Sequence, residues 1–386
     1  MAEIHGVCDE RFEALALELS KSIDDGEDCG ASICVHHKGE VVVDLWGGFA
    51  DAERTRPWEA DTLVNVWSTT KTMTFVCALI LADRGELDLD APVARYWPEF
   101  AQAGKEGVLV RHVLGHTAGL SGLDELFVDE EISQWDRVCE ALAAQAPWWE
   151  PGTASGYHAL TQGNLIGEIV RRITGITIGQ WFAAEVAAPL GADFFIGLPE
   201  SEEHRVSLVI PLNEVIPEGA PGDSIAMRSF RSPRLHSSAP LNRWWRAAEV
   251  PAANGHGNAA SVALVQSLIT GRGQVGGTRL LSEAMVDRVF ETQADGTDLV
   301  LGLPMRMGMG YGLSSSLLPI GDRACFWGGY GGSFIFMDQE AELTVAYMMN
   351  MMRNGLVGDT RGFGHTCSMQ HWRSRSEAAR VVTPST

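Results

Sequence analysis

Apolar residues change their period several times along this chain, and the changes mark its elements. Residues 12–23 place Leu15, Leu17, Leu19 and Ile23 among acids and Lys21, which predicts an amphipathic helix. Residues 31–36 and 41–46 are rich in β-branched side chains and are separated by Lys38-Gly39, which reads as a hairpin turn. Residues 68–84 predict a second helix. Ser68 offers a hydroxyl at its start, Phe75, Val76, Leu79, Ile80 and Leu81 fill its centre, and Gly85 is a natural C-cap. Its apolar positions run almost all the way round, the pattern of a helix buried between two layers.

From about residue 87 to 251 the pattern is mainly helical with long loops. It predicts a short helix at 111–114 and longer ones at 135–145, 161–174 and 178–188. Residues 211–233, rich in Pro, Gly and Ser, predict a long loop over a site. Helical spacing returns at 261–270 and 282–290. Strands are predicted at 324–327, 333–337 and 343–349, with Gly328-Gly329-Tyr330-Gly331-Gly332 between the first two. Strands at both ends and helices between them predict an α+β fold. An antiparallel sheet flanked by helices is built from 1–86 and 252–386, and 87–251 forms an inserted, mainly helical domain. A site between the two lobes is expected.

Composition agrees with this size of fold. With 386 residues, 45% of them hydrophobic and 20% charged, the chain is globular and long enough for two lobes. Fifty acidic against 29 basic residues leave a net charge of −21, which argues against nucleic acid or an anionic membrane as partner. Residues 1–7 carry neither a basic nor an apolar signal region, and the apolar run at 75–82 is too short to span a bilayer, so a cytoplasmic location is expected. The seven cysteines form an odd set without a C-x-x-C pair, which predicts buried free thiols.

Three segments carry candidate chemistry. In Ser68-Thr69-Thr70-Lys71, positions i and i+3 share a helix face, so hydroxyl and amine meet. A serine is a poor nucleophile until a neighbour takes its proton, and a desolvated lysine can be that neighbour. In Pro151-Gly152-Thr153-Ala154-Ser155-Gly156-Tyr157-His158-Ala159, a tight turn projects Tyr157, a phenol that near cations can ionise and act as base. In Trp327-Gly328-Gly329-Tyr330, glycines in a strand mark a close approach, and an edge strand there can supply an oxyanion hole.

These segments, in this order, resemble the serine β-lactamase and penicillin-binding-protein superfamily. More narrowly they resemble the family VIII carboxylesterases, which are class C β-lactamase-like. Tyr157-His158-Ala159-Leu160-Thr161-Gln162-Gly163, His116-Thr117-Ala118-Gly119-Leu120 and Ala188-Pro189-Leu190-Gly191 strengthen the narrower likeness, which runs over about residues 10 to 360. The resemblance implies Ser68 as nucleophile, Lys71 as its proton-accepting neighbour and Tyr157 as general base. It also implies an oxyanion hole from the N–H groups of Ser68 and Tyr330, and a substrate pocket lined by Trp327, Gly328 and Gly329. No metal or cofactor is implied, and the expected partner is a small-molecule ester.

Two departures from β-lactamases stand out. Ala159 occupies the place of an Asn that anchors a substrate amide, and Trp327 that of a Lys that meets the lactam carboxylate. A hydrogen bond to a charged group is worth roughly 1.5–3 kcal/mol, so an uncharged, aromatic-lined pocket favours small neutral esters. The alternatives are a β-lactamase or peptidase, an amidase or acyltransferase on the same scaffold, and a silent binding protein of this fold. His112 and His116 are four apart, but Val113 stands where a zinc motif needs Glu, so a structural role is expected. His158 is expected to point away from Tyr157. The nearest approach to an esterase elbow, Gly222-Asp223-Ser224-Ile225-Ala226, ends in Ala and has no flanking strand.

Overall fold

Nine strands form the central sheet of the computed structural model, which describes residues 1–212 and 222–362. They are β1 (Ile4–Cys8), β2 (Gly30–His37), β3 (Glu40–Gly48), β4 (Ala294–Thr297), β5 (Pro304–Met307), β6 (Gly312–Leu313), β7 (Ala324–Gly328), β8 (Phe334–Asp338) and β9 (Leu343–Met349). Their order is β1-β3-β2-β9-β8-β7-β6-β5-β4, and every ladder is antiparallel. β9 pairs with β2 from Leu343↔His37 to Met349↔Ala31, so the late strands close directly on the first hairpin. Lys38 and Gly39 both take positive φ, the backbone that a two-residue hairpin turn demands.

Helices cover this sheet because their apolar stripes need it. α1 (Glu13–Asp24) buries Leu15, Leu19 and Ile23 against β1 and β3, while Leu17 stays exposed. Of the longer helices, α2 is Thr70–Asp83, α3 is Thr161–Thr174 and α4 is Ala259–Thr270. α4 lies over β2, β8 and β9. In α2 every residue from Thr70 to Leu81 is buried, as its all-round apolar pattern predicts. Phe75 meets Tyr311 and Trp327 on one side of α2, and α3 packs against another. Gly85 follows α2 with φ +75°, its N–H donating to the Ala82 carbonyl.

Several boundaries and elements differ from the sequence expectations. The helix expected at 178–188 is Ile178–Phe182, a π turn at Ala183–Ala187, and Ala188–Leu190. The loop expected at 211–233 contains a helix, Ile225–Arg231, whose first turn is capped by Ser224 Oγ accepting from the Met227 N–H at 3.2 Å. Positions 213–221 lie outside the described residues. A second, four-stranded sheet joins Phe194–Phe195, His256–Gly257, Leu63–Asn65 and Val206–Ser207. The six described cysteines are unpaired and five of them are buried, while Cys367 lies outside the described residues. No described helix is long and apolar enough to cross a membrane.

Candidate active site

The short strand Leu63–Asn65 leads straight into the turn that carries Ser68, and that turn is pinned from several sides. The Val66 N–H donates to Gly255 O at 2.9 Å, and the Val66 carbonyl accepts from Ser333 Oγ at 2.7 Å. Trp67 then takes φ +47°, a left-handed conformation that costs a bulky residue of order 1–3 kcal/mol. Thr70 Oγ1 donates to the Trp67 carbonyl at 2.5 Å and accepts from the Gly255 N–H at 2.8 Å. The strained peptide is therefore held by its neighbours, and it delivers Ser68 in a 3₁₀ turn at the head of α2.

Ser68, Lys71 and Tyr157 come together. Lys71 Nζ lies 3.1 Å from Ser68 Oγ, 2.7 Å from the Ala159 carbonyl and 2.8 Å from the Ala252 carbonyl. The Tyr157 hydroxyl donates to Ser68 Oγ at 2.6 Å, and Lys71 Nζ stands 4.8 Å from the centre of the Tyr157 ring. Lys71 is fully buried and makes no ion pair among the described residues. Desolvation pushes its pKa well below the usual 10.5. Burial pushes the Tyr157 phenol up, partly offset by its bond to Ser68 and reinforced by Asp298. Burial thus favours the neutral form of both the phenol and the amine. Nζ donates to the two carbonyls and to Ser68 Oγ, and in the neutral amine one of these donors gives way to a lone pair that can take the Ser68 proton.

The turn bearing Tyr157 is fixed by a carboxylate that sequence reasoning missed. Buried Asp298 accepts from the N–H groups of Tyr157 (3.0 Å), Val300 (2.9 Å) and Leu301 (2.9 Å) through one oxygen. The Leu299 N–H donates to Ser155 O at 2.8 Å. His158 points away from the hydroxyl pair. Its Nε2 accepts from the Leu120 N–H at 3.1 Å and its Nδ1 faces Gly156 O at 2.6 Å. Burial lowers its pKa to about 3. His116 Nδ1 accepts from the His158 N–H, and His112 Nδ1 accepts from the Leu109 N–H.

The glycine-rich segment behaves differently from its sequence reading. β7 is an interior strand, yet β6 pairs only with Cys325 and Phe326, so its end runs on unpaired along that side. The Thr69, Gly329 and Gly331 N–H groups donate to Val66, Ser333 and Gly355 carbonyls. Between them, the N–H groups of Ser68 and Tyr330 make no hydrogen bond to protein among the described residues. Trp327 does not reach the pocket wall. It is fully buried, stacked on His116 at 5.5 Å and 5.7 Å from the Tyr157 ring, so it backs the tyrosine. Gly328 and Gly329 do not line the pocket either. A Cβ on Gly328 would stand 2.3 Å from the Val357 carbonyl carbon, and one on Gly329 would stand 2.4 Å from Val66 O. These glycines let backbones meet. Tyr330 does face the pocket, edge-on to Trp67 at 5.3 Å.

A cavity of about 290 Å³ opens on Ser68. Its lining includes Ala159, Leu160, Tyr330 and many residues of the segment 222–237. That segment brings Met227, Phe230 and Leu235 together with Arg231, Arg234 and His236, so the pocket is not uncharged as expected. The one available signal was three arginines within residues 228–234 of an acid-rich chain.

A Beta-lactamase family model matches residues 19–362. The chain belongs to the beta-lactamase family. Within that family it is 32% identical to the Esterase/beta-lactamase LipL of Mycobacterium tuberculosis, over 99% of this chain and 92% of LipL. A solved family VIII carboxylesterase is 41% identical with a TM-score of 0.89, covering 96% of this chain and 100% of its own. A solved penicillin-binding-protein homologue from Caulobacter crescentus is 36% identical with a TM-score of 0.87 over the same shares. This beta-lactamase-family chain therefore has the α+β fold shared by β-lactamases and penicillin-binding proteins.

Proposed function

We propose that the chain is a serine carboxylesterase that hydrolyses short- to medium-chain esters through an acyl-Ser68 intermediate. The observation that carries this is the pair of hydrogen bonds on one oxygen: Lys71 Nζ at 3.1 Å and Tyr157 OH at 2.6 Å from Ser68 Oγ. The similarity to a solved family VIII carboxylesterase supports the ester reading. Ala159, which lacks a side-chain amide at the pocket wall, supports it further.

Ser68 Oγ attacks the ester carbonyl carbon as its proton passes to neutral Lys71. The N–H groups of Ser68 and Tyr330 receive the oxyanion of the tetrahedral adduct. As the adduct collapses, the Tyr157 hydroxyl gives its proton to the departing alkoxide and recovers one from the Lys71 ammonium. Water then attacks the acyl carbon as its proton passes to Lys71, the C–Oγ bond of the second adduct breaks, and Ser68 Oγ takes that proton back as the acid leaves. The base is the amine, and the phenol relays.

The test is hydrolysis of p-nitrophenyl esters of rising chain length beside a chromogenic cephalosporin, by wild type and Ser68→Ala. Ester turnover that disappears in Ser68→Ala, with mass spectrometry trapping an acyl adduct only on the wild type, is the expected result. Ester turnover retained by a folded Ser68→Ala would sink the assignment. Cephalosporin turnover faster than ester turnover would move the chain to the lactamase reading.

A further inference from the structure

We infer that the pocket selects esters that also carry a carboxylate, held by Arg231 away from the scissile carbonyl. This deepens the esterase reading and rests on it. The chain as a whole is strongly acidic, with a net charge of −21, and its general field repels anions. Yet no Asp or Glu stands among the described residues that line the cavity, whereas Arg231, Arg234 and His236 do. The ionisable side chains of opposite sign to the molecule's net charge thus gather on this lining.

Arg231 is the member that is available to a ligand. One helical turn before it, Arg228 is committed: its Nη2 lies 2.8 Å from Asp124 Oδ1 and its guanidinium lies 4.0 Å over the Trp148 ring. Arg231, on the same short helix, is exposed at the cavity and makes no hydrogen bond or ion pair through its side chain among the described residues. The same lining also carries apolar side chains: Met227, Phe230 and Leu235. An apolar wall ending in a planar, permanently charged fork matches a ligand with a hydrocarbon body and a terminal carboxylate.

Two substrate pairs test this. Phenyl hydrogen glutarate against phenyl valerate puts the charge on the acyl arm, and 4-carboxyphenyl valerate against phenyl valerate puts it on the alcohol arm. The readout is the ratio of kcat/KM, anionic over neutral, taken within each enzyme so that any general loss cancels. On at least one arm the ratio should fall about tenfold from wild type to Arg231→Gln, the scale of one charge-assisted hydrogen bond discounted for solvent exposure. Arg231→Lys should recover part of it. The wild-type ratio should fall with added salt and the Arg231→Gln ratio should not. Ratios equal in all three enzymes on both arms, with phenyl valerate still hydrolysed, would overturn this inference and leave the esterase reading intact. No hydrolysis of any of the three esters would overturn the esterase reading, and this inference with it.

Discussion

At the scale of the residue, the site turns on one buried amine. Among the described residues Lys71 has no carboxylate to keep it charged, and its three contacts are two backbone carbonyls and a hydroxyl. Desolvation therefore decides its state, and its pKa falls well below 10.5. For activity the sign is direct: kcat/KM rises as the amine loses its proton. The rise should be complete well below pH 10.5, leaving a plateau up to the alkaline range where Tyr157, itself pushed above its usual 10, begins to ionise. His158, lowered to about 3, contributes nothing to that profile near neutrality. For stability, the unfolded chain holds the extra proton between the folded midpoint and 10.5. Stability therefore rises with pH across that window, and Lys71→Met should flatten the rise. A rate that keeps climbing to pH 10 would mean that Lys71 is charged in the resting enzyme, and the amine would not be the base.

At the scale of the element, Ser68 and Tyr157 meet because two turns are held from outside themselves. Asp298 accepts three backbone N–H groups, one of them from Tyr157. Asp298→Ala leaves all three without that acceptor, at roughly 1–3 kcal/mol for each buried group not rescued by water. It should lower both stability and kcat, whereas Asp298→Asn, which keeps an acceptor oxygen, should recover much of both. Denaturant titration and ester turnover of the two variants check this, and equal behaviour of Ala and Asn would remove Asp298 from the positioning of Tyr157. Nothing in Gly296-Thr297-Asp298-Leu299 marks this role in the sequence, where it reads as an ordinary turn. The same limit hid Leu63–Asn65 and its sheet partners, because two or three residues carry no period. It also hid the positive φ of Trp67, which only tertiary contacts impose. Where the period is long the reading was good: 161–174 is α3 residue for residue, and 343–349 is β9. Trp327 was misjudged because a motif fixes a residue's place on a strand but not what fills the space in front of it.

At the scale of the whole molecule, the two chain ends are joined by the ladder between β2 and β9 and by one buried guanidinium. Arg361 Nη1 lies 2.6 Å from Asp28 Oδ1, and its Nη2 lies 2.5 Å from Asp359 Oδ2 and 2.7 Å from the Gly331 carbonyl. Nη1 also donates to the carbonyls of Glu27 and Met351, and the Tyr347 hydroxyl donates to Asp28 at 2.7 Å. Residues before β2, on β9, after β9 and beside Tyr330 thus share one cation. Removing it leaves Asp28 and Asp359 buried without their counter-charge, a change that costs about 3–5 kcal/mol. Arg361→Met should therefore lose most of that amount in chemical denaturation. Because the Gly331 carbonyl loses a donor next to the Tyr330 amide, the variant should also lose kcat at temperatures where it remains folded. Arg361→Lys keeps the charge but not the fork, so it should recover stability more than turnover. Arg361→Met with wild-type kcat but the full stability loss would limit Arg361 to joining the chain ends. A stability within about 1 kcal/mol of wild type, the scale of an exposed pair, would mean that the ladder alone holds those ends together.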